Sequence, residues 1–526
     1  MARAARAKEL VSEARALEMA RDLEGAYELY VHGYSAYPRS TEFALNSYRV
    51  AKKLGRDEAA TGHLNAYLEN TPNSAKDHMK RCRVLQRISW AQARDAAEIG
   101  LQKFPEDDEL SDYFRIAKLM TGDLEERAKI DIDHELEERV LPQFVLSNIL
   151  AEDWRFTDPK VSAGRFVKFA NAYPGPTTRK FALRFLLTHG EYQAAWDLIE
   201  SVSEDARTTD DQRKLAICLA HFGENAAAEE ELMRAVLESK DPFDRLRVAT
   251  SFANESADVS IAAKILARAH HSYPNSGIEG VVEFLGHILP PKRALLGENP
   301  DDIQACKISE CGPSKAVVVT FGAYGRVVGS PLSLQDRFFA GHGVSLCEVL
   351  DVGGTLFMKG IPGLGDTIEE AATNLFARLR DAGFEKIYVT GSSGAGFGTI
   401  VYGPRLNARR IVTFSAATDL RQEFLDTVKE TRAKSTIQAL HHRLGEDKLS
   451  VMNWVEAEQV KTPVHAYYCK ELTLDGAQAA NLKAFPSAEI IPVPRFKTHT
   501  SFVAAMGTGQ LLTEFTSIAE DANGTT

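Results

Sequence analysis

Three residues of this 526-residue chain have the types and order to act together on a carbonyl group: Ser393, Asp475 and His499. Ser393 lies in Ile387-Tyr388-Val389-Thr390-Gly391-Ser392-Ser393-Gly394-Ala395-Gly396-Phe397-Gly398. An apolar, β-branched run enters a turn of small residues, and the pattern then reads as a helix. A serine at such a tip is held in a strained backbone conformation. The residues two before and two after it must be small, or strand and helix collide. Gly391 and Ala395 fill those places around Ser393, whereas Thr390 stands two before Ser392. The helix start below the turn offers free N–H groups and the positive end of a dipole. The pattern is G-x-S-x-A rather than G-x-S-x-G, and its plain alternative is a tight turn with no chemistry.

A nucleophilic serine needs a base and an acid to orient it. His499 follows the apolar run Ile490-Ile491-Pro492-Val493, in a loop after the last expected strand. Imidazole suits the task because it takes and returns a proton near neutral pH. Asp475 follows the run Val464–Cys469 and is the first choice for the acid; Glu471 and Asp419 are alternatives. The order serine, acid, histidine is one of the known orders for such a constellation. Two backbone N–H groups must meet a developing oxyanion. Gly394 supplies one, and Gly322, in Phe321-Gly322-Ala323-Tyr324-Gly325, the other, although that segment also reads as an ordinary strand–helix loop. Thr390-Gly391 is also similar to the dinucleotide loop of short-chain dehydrogenases. The glycine spacing is shifted, the loop follows the third strand rather than the first, and no Tyr-x-x-x-Lys follows. No Gly-Lys-Ser/Thr of a phosphate loop occurs.

The elements that must position these residues follow from the pattern. From Lys315 onward, apolar β-branched runs alternate with helical stretches. They predict strands at Ala316–Phe321, Ser345–Leu350, Lys386–Thr390, Arg410–Phe414, Val464–Cys469 and Ala488–Val493. That alternation predicts a mostly parallel sheet covered on both faces. A helix begins at Asp366, with Glu369 completing a capping box, and closes at Gly383. Residues 421–460 are charged and read as a helical lid. Residues 1–290 instead read as helix after helix. Pro38, Pro72, Pro105, Pro142, Pro174, Pro242 and Pro274 punctuate them at steps of 34, 33, 37, 32, 68 and 32. A two-helix repeat of about 34 residues is the tetratricopeptide period, here about eight degenerate repeats. Small residues at Gly25-Ala26, Gly190 with Ala194-Ala195, and Gly223 with Ala226-Ala227 suit close helix approach, and proline stops each second helix. Residues 291–314, rich in proline and glycine, read as a linker.

The residues quoted for the second half carry a resemblance. Residues 315–510 resemble a bacterial α/β-hydrolase group found beside, or fused to, glycosyltransferases and helical repeats. A component of the accessory Sec secretion system has a related domain. The match rests on Phe357-Met358-Lys359-Gly360-Ile361-Pro362-Gly363-Leu364-Gly365, on Gly391, Ser393, Gly396 and Phe397, and on Asp475 and His499. Ala395 replaces the group's glycine. The resemblance implies acyl-ester chemistry, often on glycans.

The combined expectation is α + α/β: a tetratricopeptide-like α-solenoid (1–290), a linker (291–314) and an α/β-hydrolase domain (315–520) with a lid at 421–460. Ser393 attacks an ester, His499 moves the proton and Asp475 orients His499. The acyl group then passes to water or to a sugar hydroxyl. The alternative is a scaffold whose hydrolase-like half is silent. The repeats would bind a protein partner, and the substrate would be a small ester or glycan. No cofactor or metal is called for: adjacent histidines at His441-His442 and His270-His271 diverge on a helix, and Cys306 and Cys311 lack zinc spacing. Arg326, Lys359, Arg495 and Lys497 read as a solvated rim. The net charge of −11 argues against a nucleic-acid partner. No apolar run of membrane-spanning length occurs. The N-terminus lacks the core of a secretory signal, and six sparse cysteines suit a reducing cytoplasm.

Overall fold

The computed structural model describes residues 2–524 except 39, 71, 87–89, 122–125, 128, 154–156, 257, 275, 297–304, 313, 323–330, 352, 430–436, 438–439 and 442. Much of the expected linker, the segment Ala323-Tyr324-Gly325 with Arg326, part of the expected lid, and His442 therefore lie outside the described residues. The chain divides into two compact units, Met1–Ile130 and Asp131–Thr526.

The first unit is helical: α1 (Ala2–Met19), α2 (Leu23–Ala36), α3 (Thr41–Lys53), α4 (Asp57–Glu69), α5 (Ala75–Gln86), α6 (Trp90–Lys103) and α7 (Asp108–Met120). Sequential helices pack on one another. The end of α2 shows the local rule. Its cap, Tyr37, leaves the helical conformation before Pro38, at φ −134° and ψ +66°, because proline disfavours a helical residue ahead of it. Gly33 of α2 lies flat on Phe43 of α3; a Cβ there would sit 2.2 Å from the ring.

The second unit begins with further helices: α8 (Ile132–Glu138), α9 (Gln143–Asp153), α10 (Pro159–Ala172), α11 (Pro176–Thr188), α12 (Tyr192–Glu200), α13 (Thr209–His221), α14 (Asn225–Glu238), α15 (Pro242–Glu255), α16 (Val259–Ser272) and α17 (Ile278–Gly286). The tetratricopeptide-like array thus continues to residue 286. Neighbouring repeats are tied by a buried bidentate pair, Arg179 to Asp211, at 2.7 and 3.0 Å. Two local expectations need correction. Pro242 opens α15 rather than following a helix, a position where its missing N–H costs nothing. Gly190 and Gly223 do not permit close packing. Both have left-handed φ, at +74° and +82°, and no atom lies nearer than 3.9 Å to a Cβ built on either. They are turn residues; the contact alanines are Ala195 and Ala228, both buried.

The sheet has seven strands: β1 (Cys306–Ser309), β2 (Ala316–Gly322), β3 (Ser345–Leu350), β4 (Lys386–Ser392), β5 (Arg410–Phe414), β6 (Val464–Cys469) and β7 (Ala488–Val493). Their order is β1-β3-β2-β4-β5-β6-β7, and only β1 is antiparallel to its neighbour. Every residue from Ala316 to Phe321 is buried, so both faces of the central strand are covered. The helices are α18 (Leu332–Gly341), α19 (Ile368–Asp381), α20 (Gly394–Arg405), α21 (Gln422–Thr427), α22 (Thr473–Asn481), α23 (Ser501–Gly507) and α24 (Gln510–Asn523). The second unit is thus a tetratricopeptide-like array followed by a mostly parallel sheet domain of the α/β-hydrolase type.

Three further features differ from the sequence reading. β1 falls inside the expected linker, where Cys306 places its sulfur 3.7 Å from that of Cys347 on β3. The cap of α19 is Thr367, not Asp366: Thr367 accepts from the Glu370 N–H, and Glu370 reaches back to the Asp366 N–H. Residues 446–460 form short 3₁₀ turns rather than long helices, and Leu449 and Val451 are fully buried in the sheet's core.

The C-terminal helix α24 is pinned to the sheet by one buried carboxylate. Glu514 accepts from Arg410 at 3.0 Å, from Tyr467 at 2.7 Å, and pairs with His465 at 2.8 Å. Burial pushes its pKa up, but these partners prevail and hold it below the usual carboxylate value. A depressed folded value gives stability that is full above the unfolded pKa, near 4.3, and lost as pH falls through the folded value. Glu514→Gln is expected to cost about 3 kcal/mol at neutral pH by stranding Arg410. Urea unfolding at pH 7 and pH 3 checks both points: the variant's deficit shrinks in acid.

Candidate active site

Strand β4 and helix α20 meet at Ser393, whose φ of +54° lies in the region unfavourable to a side chain. The surroundings hold that conformation. The Ser393 N–H donates to the carbonyl of Phe414 at the end of β5, and the Ser393 carbonyl accepts from Ala417 at 3.0 Å. Gly391 is required by space: a Cβ there would lie 2.1 Å from Thr399 Oγ1. Ala395 is accommodated, buried in the core at the first turn of α20. Ser392 points elsewhere; its hydroxyl is buried and has no hydrogen-bond partner among the described residues.

The segments after β6 and β7 bring the other two residues to this tip, Asp475 from a helix rather than the loop expected for it. His499 Nε2 lies 2.8 Å from Ser393 Oγ. His499 Nδ1 lies 2.9 and 3.0 Å from the two oxygens of Asp475, in the first turn of α22. A carboxylate only accepts, so Nδ1–H donates to Asp475. That leaves the Nε2 lone pair to accept from the Ser393 hydroxyl. Asp475 is 2% exposed at its side chain and His499 41%, so the acid is screened from water and the base remains reachable. The other acids are engaged elsewhere. Glu471 accepts from the Arg495 N–H, and Asp419 binds the Arg421 guanidinium. Of the basic rim, Lys359, Arg495 and Lys497 are exposed, and Arg495 pairs with Glu279 at 3.3 Å.

The Gly394 N–H is the first of α20 and has no acceptor within the helix. Gly322 ends β2 in register with Leu350, and its carbonyl accepts from the Asp351 N–H. Two residues with a part here carry no motif. Asp351, buried after β3, accepts from the N–H groups of Thr355 and Leu356 at 3.0 and 2.7 Å. Burial raises its pKa. The turn it ties places Leu356 over Gly394, 3.1 Å from a Cβ built there. The only sequence signal was an acid closing an apolar strand before Gly353-Gly354.

The His499 loop is also held from the repeats. Phe496 is buried, with its ring 5.7 Å from that of Phe243 and against Gly277. Helix α17 lies on α23, the helix that follows His499; a Cβ at Gly280 would stand 2.3 Å from the Met506 carbonyl. No group of three or more metal-ligating side chains occurs among the described residues. No described helix is long and apolar enough to cross a membrane.

No protein-family model and no curated protein matches the chain. Several solved structures are similar to it. A hormone-sensitive lipase from a metagenome library is 16% identical, covering 51% of this chain and 97% of its own, with a TM-score of 0.30. A fluorophosphonate-binding serine hydrolase of Staphylococcus aureus is 11% identical, covering 41% and 91%, at 0.30. A tetratricopeptide repeat protein from Parabacteroides merdae is 13% identical, covering 53% and 98%, at 0.27. Scores this low add nothing to the fold, which rests on the strand order and helix pairing above.

Proposed function

We propose that the chain is a serine hydrolase or O-acyltransferase acting on an ester, with Ser393, His499 and Asp475 as its catalytic residues. The observation that carries this is the unbroken relay from Ser393 Oγ through His499 to buried Asp475. In the first step Ser393 Oγ attacks the ester carbonyl carbon as His499 Nε2 takes its proton. The imidazolium is stabilised by Asp475 and then gives that proton to the departing alkoxide. This leaves an acyl-serine. A water or sugar hydroxyl, deprotonated by the same nitrogen, attacks the acyl carbon and releases Ser393. The Gly394 N–H, with a second donor at Gly322, would meet the oxyanion. The resemblance to the glycosyltransferase-associated hydrolase group favours a glycan ester as substrate. Residues 421–460 would cap the site, and the repeats of residues 1–290 would take a protein partner.

A fluorophosphonate probe tests this directly. The wild type is expected to be labelled at one serine, and Ser393→Ala not at all. A folded wild type that stays unlabelled would sink the proposal and leave the silent scaffold.

A further inference from the structure

A cavity of about 1240 Å³ lies within residues 131–526, and neither Ser393 nor His499 lines it. One wall is formed by α11, α13 and α15, every other helix of the array. The facing wall comes from the sheet domain: the first turn of α18 and the edge of α23, at Thr500 and Val503. The cavity therefore begins one residue beyond His499.

Its lining is charged, and its charges are unequally satisfied. Asp210 is met by Arg213 and Lys214, Glu255 by Arg213, and Asp244 by Arg247. Asp336 is paired from behind the wall by Arg293 at 2.6 Å. Lys180 and Lys240 also line the space, both exposed to it, and neither has an ion-pair partner among the described residues. Lys214 is 4% exposed at its side chain. Its ammonium has the Lys180 carbonyl at 3.1 Å and Asp210 at 3.0 Å. Burial pushes its pKa down despite Asp210, as expected for an under-compensated buried cation. Thr250 lines the cavity with a buried hydroxyl that has no hydrogen-bond partner among the described residues. Leu332 and Ser333, the first residues of α18, line it too, where helix N–H groups lack internal acceptors. Cations, a spare hydroxyl and a helix N-terminus border one partly open volume, which Glu238 and Glu348 also line.

We infer that this cavity binds a small molecule bearing a carboxylate or phosphate group, with the anion set between Lys180, Lys214 and the start of α18. The volume exceeds the roughly 300–1,000 Å³ common for small-molecule pockets, so it holds an organic anion of sugar size or larger. A peptide is disfavoured because α18 and α23 cover the inner face that an extended chain would follow. The inference stands on the cavity alone and does not need Ser393 to be active.

Titration calorimetry on the full chain tests it, with glucose 6-phosphate, glucuronate and neutral glucose as probes. At least one anion is expected to bind, equally to wild type and to Ser393→Ala, and glucose is not. The ratio of the two anions distinguishes phosphate from carboxylate. Lys180→Glu with Lys240→Glu, two exposed changes, should weaken binding at least tenfold with unchanged circular dichroism. Absence of binding by both anions, or binding that survives the charge reversal, overturns the inference. So does an acidic peptide that binds more tightly than either sugar and is lost in the same variant. Fluorophosphonate labelling of the same samples reports separately on Ser393.

Discussion

His499→Ala is expected to lower the turnover of an activated ester by about 10⁴–10⁶-fold, and Asp475→Asn by about 10⁴. The larger loss follows because in the proposed reaction His499 would serve twice, taking the Ser393 proton and returning it to the leaving group. Asparagine at 475 keeps the shape but can donate to Nδ1, turning the tautomer so that Nε2 carries a proton and cannot receive one. Residues acting as a unit are not additive. Ser393→Ala combined with His499→Ala should therefore be no slower than Ser393→Ala alone. Steady-state hydrolysis of p-nitrophenyl acetate measures the four variants against the wild type, with KM little changed. Full turnover in His499→Ala would remove histidine from the reaction.

Gly280→Val is expected to destabilise the second unit by about 3 kcal/mol, and to reduce turnover even where the protein remains folded. The added carbons meet the Met506 carbonyl at 2.3 Å and the Gly507 carbonyl carbon at 2.8 Å. Those are main-chain atoms, which cannot swing aside as a side chain can. Overpacking of this kind costs about 1–3 kcal/mol, more where backbone must move. The displaced helix is α23, so the shift is passed to His499 at its start. Gly286→Ala, at the end of the same α17, is the control: no atom lies within 4 Å of its Cβ position. Thermal denaturation and kcat for the two variants decide the matter. Equal melting temperatures would mean that α17 and α23 yield easily.

Much of the sheet was legible because its strands are short, apolar and β-branched, and burial on both faces leaves such runs no polar alternation. The strand β4 extends two residues past its expected end because it enters the turn at Ser393 without a break. β1 was hidden: its alternation Cys306-Lys307-Ile308-Ser309 is only four residues long and lies in a stretch that reads as linker, and only pairing with β3 makes it a strand. The prolines exposed the repeat period, but they could not show that Gly190 and Gly223 serve turns, since φ is not written in composition. Local pattern placed Ser393 at a turn and His499 in a late loop. It ranked Asp475 ahead of Glu471 and Asp419 but left the alternatives open, because which carboxylate meets an imidazole depends on where distant segments converge. Asp351 and Leu356 were beyond reach for the same reason: Asp351 ties the turn that carries Leu356, and Leu356 meets Gly394 almost forty residues away.

The seam between α17 and α23 has a thermodynamic meaning. Helices that share a buried face gain their stability jointly, so the two layers are expected to melt together. Removing residues 131–290 would leave Phe496 and the outer face of α23 wetted and the His499 loop without its brace. The repeats nearest the sheet are therefore part of its cooperative folding unit. A bound ligand that stiffens them also lowers the population of states in which His499 strays from Ser393.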